Sequence, residues 1–155
     1  MASVGTAPSG TAQTPHRTHS VRIEVGDADL PEDRFSDHVN NARYFVFVNQ
    51  CFRSWYVAMD IRGGVPGHTA VMVHIEYDFL REVKPPSVIE CRIEVTRVGR
   101  TSMDHAISMI DHGSSGEGEP VQVGRGRAVH AWVERARGQA LPWPEDVLAR
   151  CWAEA

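Results

Sequence analysis

The chain has 155 residues, of which 42% are hydrophobic and 23% are charged, and its formal net charge is −4. This length and composition are typical of one soluble domain with a sizeable core. A negative net charge gives no general attraction to nucleic acid or to an anionic membrane, so we expect neither as a partner. No apolar run approaches the roughly 20 residues of a membrane span, and the first residues lack the apolar core of a signal peptide, so we expect a cytoplasmic protein.

The spacing of cysteine and histidine predicts no metal site and no cofactor. The cysteines are odd in number and far apart, as in a protein of reduced thiols: Cys51, Cys91 and Cys151. Five histidines fall on different predicted strands and turns without ligand spacing: His68, His74, His105, His112 and His130. No serine occupies the Gly-x-Ser-x-Gly turn of serine hydrolases.

Residues 1–18 contain almost no large apolar side chain, so they cannot offset the entropy of being ordered. They are predicted to be a disordered tail, and residues 19–155 are predicted to form the single folded domain. Val21, Ile23 and Val25 alternate with polar residues, which predicts a half-buried first strand that ends near residue 27.

A loop and the only long helix follow the first strand. Residues 29–37 contain Pro31 and four acids without periodicity, which predicts a loop. Residues 41–60 predict a helix that is apolar around most of its circumference. Its stripe consists of Tyr44, Val48, Phe52 and Trp55, with Phe45, Cys51 and Met59 beside it.

Alternating apolar residues predict four further strands, at about residues 69–83, 88–96, 103–111 and 121–134, and a short helix follows at about 144–152. No helix recurs between these strands, so the sheet should be antiparallel and the fold class α+β. Four or five strands around one apolar helix would leave open sheet edges and a half-covered helix. We therefore expect at least a dimer.

The start of the long helix is the best candidate for a reactive site. A helix N-terminus carries unpaired backbone N–H groups and a partial positive charge, so it can stabilise an oxyanion. A carboxylate on the preceding loop could act as a base or as a nucleophile. The two together predict acyl transfer or hydrolysis. Asp37 or Asn40 is also expected to cap the helix, a role compatible with a reactive site.

Several segments, in this order, resemble the hotdog-fold thioesterases of the 4-hydroxybenzoyl-CoA thioesterase and acyl-CoA thioesterase group. They are residues 26–29 (Gly-Asp-Ala-Asp), 38–44 (His-Val-Asn-Asn-Ala-Arg-Tyr), 73–83, 100–103 and 126–133. Together they span about residues 20 to 150. The resemblance implies an antiparallel sheet wrapped around one long helix, no metal, a homodimer or homotetramer, and active sites at subunit interfaces.

The resemblance also implies the catalytic groups. The catalytic carboxylate of this family matches Asp29, and the backbone N–H that holds the oxyanion matches Asn41. The loop between them is longer here than in the family, so Asp33 and then Asp37 remain alternatives to Asp29.

The implied substrate is an acyl-CoA or an acyl-carrier-protein thioester. His38, Asn40 and Tyr44 are expected to line the substrate pocket. CoA carries phosphates, and the family often binds them in the turn that holds Arg97, Arg100 and Ser102 here. Arg81 and Lys84 are weaker candidates.

Two other functions remain open on the same fold. One is a non-hydrolytic acyl-binding or biosynthetic protein in which the longer loop has displaced the catalytic acid. The other is a dehydratase, which needs a histidine and an acid in one pocket, such as His38 and Asp33.

Overall fold

The computed structural model describes residues 17–33, 35–61 and 66–152. The predicted tail, residues 1–18, therefore lies almost wholly outside the described residues. Only its last two residues are described, and Thr18 already belongs to the first strand.

The described strands form one antiparallel sheet, as predicted. They are β1 (Thr18–Val25), β2 (His68–Phe79), β3 (Ser87–Val98), β4 (Ser102–Asp111), β5 (Val121–Glu134) and β6 (Gln139–Leu141). The order across the sheet is β1-β3-β4-β5-β2, and β6 pairs with the end of β5. The sequence does not predict β6, because three residues are too few to show a periodicity.

Helix α1 (Asn41–Ala58) packs against one face of the sheet, and the short helix α2 (Glu145–Trp152) follows β6. The predicted stripe of α1 is buried, with Tyr44, Val48, Phe52 and Trp55 each at most 3% exposed. Neither helix is long and apolar enough to cross a bilayer, among the residues that are described. The fold class α+β and the hotdog arrangement of one long helix against an antiparallel sheet are thus confirmed.

Two glycines of β5 bring the sheet close to the start of α1. A Cβ atom at Gly124 would overlap the phenol of Tyr77 on the neighbouring strand β2, and one at Gly126 would overlap the Glu76 backbone oxygen and crowd the Tyr77 ring. Their absent side chains let the Tyr77 ring lie flat over β5, where it contacts Tyr44 at a centroid distance of 5.8 Å. The end of β2 is thereby placed beside the first turn of α1.

Strand β2 is an edge strand, and a patch of apolar side chains next to it remains exposed. Phe45 on α1 is 39% exposed, Val73 on β2 is 59% exposed, and Phe79 at the end of β2 is 45% exposed. No strand among the described residues pairs with the outer edge of β2. Helix α1 is therefore only partly covered on this side within one chain.

Candidate active site at the start of helix α1

The first turn of α1 leaves one backbone N–H open. Asn40 is the N-cap, and its side-chain Oδ1 accepts a hydrogen bond from the Ala42 N–H at 2.9 Å. Its carbonyl oxygen accepts another from the Arg43 N–H at 2.8 Å. The N–H of Asn41 has no acceptor among the described residues. It is therefore free to bind an oxyanion, the role that the family resemblance implies for it.

Asp29 lies directly against this helix start. It ends a short 3-10 turn (Asp27–Asp29), and its backbone oxygen accepts a hydrogen bond from the Asn40 N–H at 2.9 Å. Its carboxylate is buried, with Oδ1 2.7 Å from both Nε and Nη2 of Arg43. The other oxygen, Oδ2, accepts a hydrogen bond from the Gly26 N–H at 3.0 Å. This arrangement fixes the orientation of the carboxylate at the first turn of α1.

The other two candidate acids are on the surface. Asp33 is exposed and accepts a hydrogen bond from the Phe35 N–H at 3.2 Å, which is a local turn contact. Asp37 is exposed and lies 2.7 Å from Nζ of Lys84. That hydrogen bond from Lys84 lowers the pKa of Asp37. Of the three acids, Asp29 alone is buried.

A cavity of about 300 Å³ lies at the start of α1, with Asn41 in its wall. We call it the helix-start cavity; its walls are His38, Val39, Asn41, Tyr44, Phe79, Leu80, Arg81 and Glu82. The imidazole of His38 lies 2.5 Å from Oγ of Ser36 and 3.6 Å from Glu82, whereas Asp33 bonds elsewhere. Burial raises the pKa of Tyr44, so its phenol is a proton donor at neutral pH.

The predicted phosphate-binding residues lie at the other end of the sheet from this cavity. Ser102 pairs with Ala131 on β5, and Ala131 pairs with Val71 near the start of β2. The helix-start cavity is lined by Phe79, so along the strand direction the two places are separated by roughly 26 Å, at about 3.3 Å per residue. Arg97 and Arg100 are exposed at that distant end. Within one chain, the arginine in the described wall of the helix-start cavity is Arg81, a weaker candidate from the sequence.

A cavity of about 600 Å³ lies on the outer face of the sheet. Its two arginines already have acidic partners, Arg125 with Asp78 at 3.2 Å and Arg127 with Asp104 at 2.8 Å. We therefore assign it no anionic ligand. Among the described residues there is no group of three or more His, Cys, Asp or Glu that could hold a metal ion.

The chain belongs to the thioesterase-like superfamily, whose family model matches residues 23–151. Both the buried Asp29 and the open amide of Asn41 fall within the matched region. Membership makes thioester hydrolysis the class of activity indicated for this chain. No curated protein sequence matches it significantly.

Solved structures show the same fold. The 4-hydroxybenzoyl-CoA thioesterase of Pseudomonas sp. strain CBS-3 superposes with a TM-score of 0.74 at 14% identity, over 87% of this chain and 99% of that one. The PA5185 protein of Pseudomonas aeruginosa gives 0.70 at 22% identity, over 86% and 88%. Slr0204, a 1,4-dihydroxy-2-naphthoyl-CoA thioesterase from Synechocystis, gives 0.67 at 12% identity, over 86% and 95%.

Proposed function

We propose that the protein hydrolyses an acyl thioester, carried by CoA or by an acyl carrier protein, to the free acid. The observation that carries this proposal is the open N–H of Asn41 in the same helical turn whose Arg43 holds the buried carboxylate of Asp29. The helix-start cavity, which has Asn41 in its wall, is the place for the thioester carbonyl.

The reaction needs negative charge to be stabilised on the carbonyl oxygen. The Asn41 N–H donates a hydrogen bond to that oxygen, and the helix dipole adds favourable potential. Asp29 takes a proton from water as the water oxygen bonds to the carbonyl carbon, or its carboxylate attacks that carbon first. The C–S bond then breaks, and the thiolate leaves with the proton that Asp29 took from water. If Asp29 attacks first, water hydrolyses the mixed anhydride left on Asp29, which releases the free acid and supplies the proton of the thiol.

We further propose that the working unit is a dimer in which the β2 strands of two copies pair edge to edge. An open edge of twelve residues flanked by exposed Phe45, Val73 and Phe79 suits this pairing. A two-fold axis perpendicular to the sheet makes the strands antiparallel and keeps both helices on one face. It also brings the start of β2 in one copy beside the end of β2 in the other.

In such a dimer the partner supplies groups that one chain does not bring to the helix-start cavity. His38, Asn40 and Tyr44 would line the acyl end of the substrate. The partner's Arg97, Arg100 and Ser102, with Arg81 of the same chain, would be available for the CoA phosphates. The structure of an Asp-to-Asn variant of the 4-hydroxybenzoyl-CoA thioesterase with 4-hydroxybenzoyl-CoA is precedent for a CoA thioester on this fold. A cytoplasmic location suits the three buried free cysteines.

One observation favours a second candidate, a protein that binds an acyl thioester without hydrolysing it. Both carboxylate oxygens of Asp29 already accept hydrogen bonds, and its side chain is only 7% exposed. If Arg43 holds Asp29 permanently, no base reaches the substrate. The dehydratase pairing of His38 with Asp33 is not formed, because Asp33 accepts from the Phe35 N–H and the acid that contacts His38 is Glu82, at 3.6 Å.

The test is hydrolysis of a panel of acyl-CoA thioesters, followed by thiol release, for Asp29→Asn, Asp33→Asn and Asp37→Asn. We expect Asp29→Asn to lower kcat by about a hundredfold or more, with Asp33→Asn and Asp37→Asn close to wild type. Circular dichroism checks that each variant folds. Full activity in all three variants would defeat the carboxylate mechanism. Saturable binding of acyl-CoA by a wild-type protein that turns over none of the panel would establish the second candidate.

A further inference from the structure

A second cavity on the inner side of the sheet carries polar groups that the proposed reaction does not use. It measures about 430 Å³, and we call it the strand-start cavity. Its walls are Tyr56, Ile61, His68, Thr69, Ala70 and Arg135. It lies where the last turns of α1 meet the first residues of β2.

Three hydrogen-bond donors point to an anionic ligand for this cavity. The side chains of Tyr56, His68 and Arg135 make no hydrogen bond or ion pair with another described residue. Burial raises the pKa of Tyr56, so its phenol remains a donor at neutral pH. The Arg135 backbone is held in place, since its N–H donates to the Gly67 oxygen at 2.8 Å. A guanidinium with a phenol and an imidazole beside it suits an oxygen-rich anion such as a carboxylate.

Within one chain this cavity is too far from the reactive site to serve it. Asn41 and Tyr56 are separated by roughly 22 Å along the helix, at about 1.5 Å per residue. His68 and Phe79, at the two ends of β2, are separated by roughly 36 Å at about 3.3 Å per residue. An acyl group starting at the Asn41 N–H would have to follow the whole helix to reach it.

The two-fold pairing of β2 removes this separation. When antiparallel strands are centred on one another, His68 of one copy lies opposite Phe79 of the other. Phe79 lines the helix-start cavity, and His68 lines the strand-start cavity. The two cavities, from different protomers, then adjoin across the interface.

We propose that the strand-start cavity of the partner binds the far end of the acyl group and selects one that ends in a carboxylate. This inference rests on the thioesterase function and on the dimer proposed above. The partner's Arg135 pairs with the carboxylate, while the partner's Tyr56 and His68 donate hydrogen bonds to it. An acyl group ending in a methyl would leave these donors without a partner, so it is the poorer substrate.

The test compares thioesters of matched length that differ at the far end only. Succinyl, adipoyl and suberoyl thioesters are paired with butyryl, hexanoyl and octanoyl thioesters, each on CoA and on N-acetylcysteamine. We expect wild-type kcat/KM to favour at least one ω-carboxyl member by about tenfold or more. Arg135→Met should abolish that preference, and Tyr56→Phe should reduce it while retaining the ring. Arg137→Met, on the same exposed turn, is the matched control and should keep it.

The N-acetylcysteamine thioesters carry the same acyl groups without the CoA phosphates. They therefore distinguish binding of the acyl carboxylate from binding of a phosphate, which an arginine can also hold. Loss of the ω-carboxyl preference in Arg135→Met on both carriers supports the proposal. An equal loss of kcat/KM in Arg135→Met for every CoA thioester, with no loss for the N-acetylcysteamine thioesters, overturns it, because the cavity then binds phosphate. No ω-carboxyl preference in the wild type also overturns it, whatever the overall rate. Calorimetric titration with unreactive thioether analogues of the same pairs tests the selectivity even if the protein does not hydrolyse thioesters.

Mixing two variants tests the contribution of the partner. A dimer of one Asp29→Asn copy and one Arg135→Met copy has one intact site only if Asp29 and Arg135 act together from different protomers. Co-expressed copies with separate affinity tags should therefore hydrolyse the favoured ω-carboxyl thioester faster than the average of the two variants alone. A rate equal to that average would show that Arg135 does not act on the site of the partner copy, and it would overturn the proposal.

Discussion

The Asp29 carboxylate and the Arg43 guanidinium form a close pair across the start of α1, with one carboxylate oxygen 2.7 Å from two guanidinium nitrogens. The Asp29 side chain is 7% exposed and that of Arg43 is 38% exposed. The pair joins the 3-10 turn to the first turn of the helix. The same contacts therefore stabilise the helix start and hold the proposed catalytic acid in one orientation.

Replacing Arg43 by Met should leave the buried Asp29 carboxylate with a single backbone donor. We expect the free energy of unfolding at pH 7 to fall by about 1–2 kcal/mol, a figure reduced for the partial exposure of Arg43. Urea unfolding followed by circular dichroism measures this. Arg53→Met, at an exposed position of the same helix, is the control and should change little.

The double variant with Asp29→Asn and Arg43→Met completes this test. Once the carboxylate is neutral, loss of the guanidinium costs less, so the double variant should be more stable than the sum of the single changes predicts. Strict additivity would show that the pair does not stabilise the helix start.

The sequence predicted this part of the site only in outline. The motif at residues 38–44 placed the helix start, because caps and apolar periodicity are local signals. The loop before it has no periodicity, so the sequence left Asp29, Asp33 and Asp37 as alternatives. Their surroundings depend on contacts made across the fold. The buried Asp29 forms an ion pair with Arg43, whereas the exposed Asp37 pairs with Lys84 from the segment after β2.

The sequence could not predict which arginine adjoins the helix-start cavity in one chain. Arg81 and Arg97 both follow or end apolar strands, and local pattern does not say at which end of the sheet each lies. The strand order β1-β3-β4-β5-β2 decides this, and it depends on long-range pairing. The exposure of Phe45 could not be predicted either. The helical period puts Phe45 beside the buried stripe, but its exposure depends on whether another element covers it beyond the edge strand β2.

Two buried histidines should make the fold sensitive to acid. His105 and His130 are at most 1% exposed, and their rings lie 5.1 Å apart among Phe52, Trp55 and Tyr56. Burial lowers the pKa of each to about 3. An unfolded chain has the ordinary histidine pKa of about 6.5, so between these values the unfolded state binds more protons. Their contribution is therefore full above about pH 6.5 and is lost as pH falls towards 3.

The loss should approach about 1.4 kcal/mol per pH unit for each histidine once pH is well below 6.5. Urea unfolding at several values from pH 7.5 to about 5.5 measures this slope above the range in which most carboxylates titrate. His105→Leu, which removes a ring with no hydrogen-bond partner among the described residues, should reduce the slope. His74→Leu, at an exposed position, should not. An unchanged slope in His105→Leu would contradict the assignment.

A charge in the middle of the open strand edge should separate the proposed dimer. Val73 lies at the irregularity of β2 between Met72 and His74 and is 59% exposed. Val73→Lys should therefore give a monomer, because a lysine on an edge strand opposes pairing with another copy. Light scattering after size-exclusion chromatography measures the mass. Thr18→Lys, on the opposite edge strand β1, is the control, and a Val73→Lys dimer would exclude pairing along β2.

The open amide of Asn41 can be removed without removing the helix. Proline is favoured at the first helical position, where its missing N–H breaks no internal bond. The preceding residue, Asn40, has φ −59° and ψ 132°, which is the conformation that a following proline requires. Asn41→Pro should therefore fold with the Asn40 cap intact, yet lower kcat by about a hundredfold to a thousandfold. Asn41→Ala keeps the N–H and should keep most of the activity, so equal rates in the two variants would show that the oxyanion is held by another group.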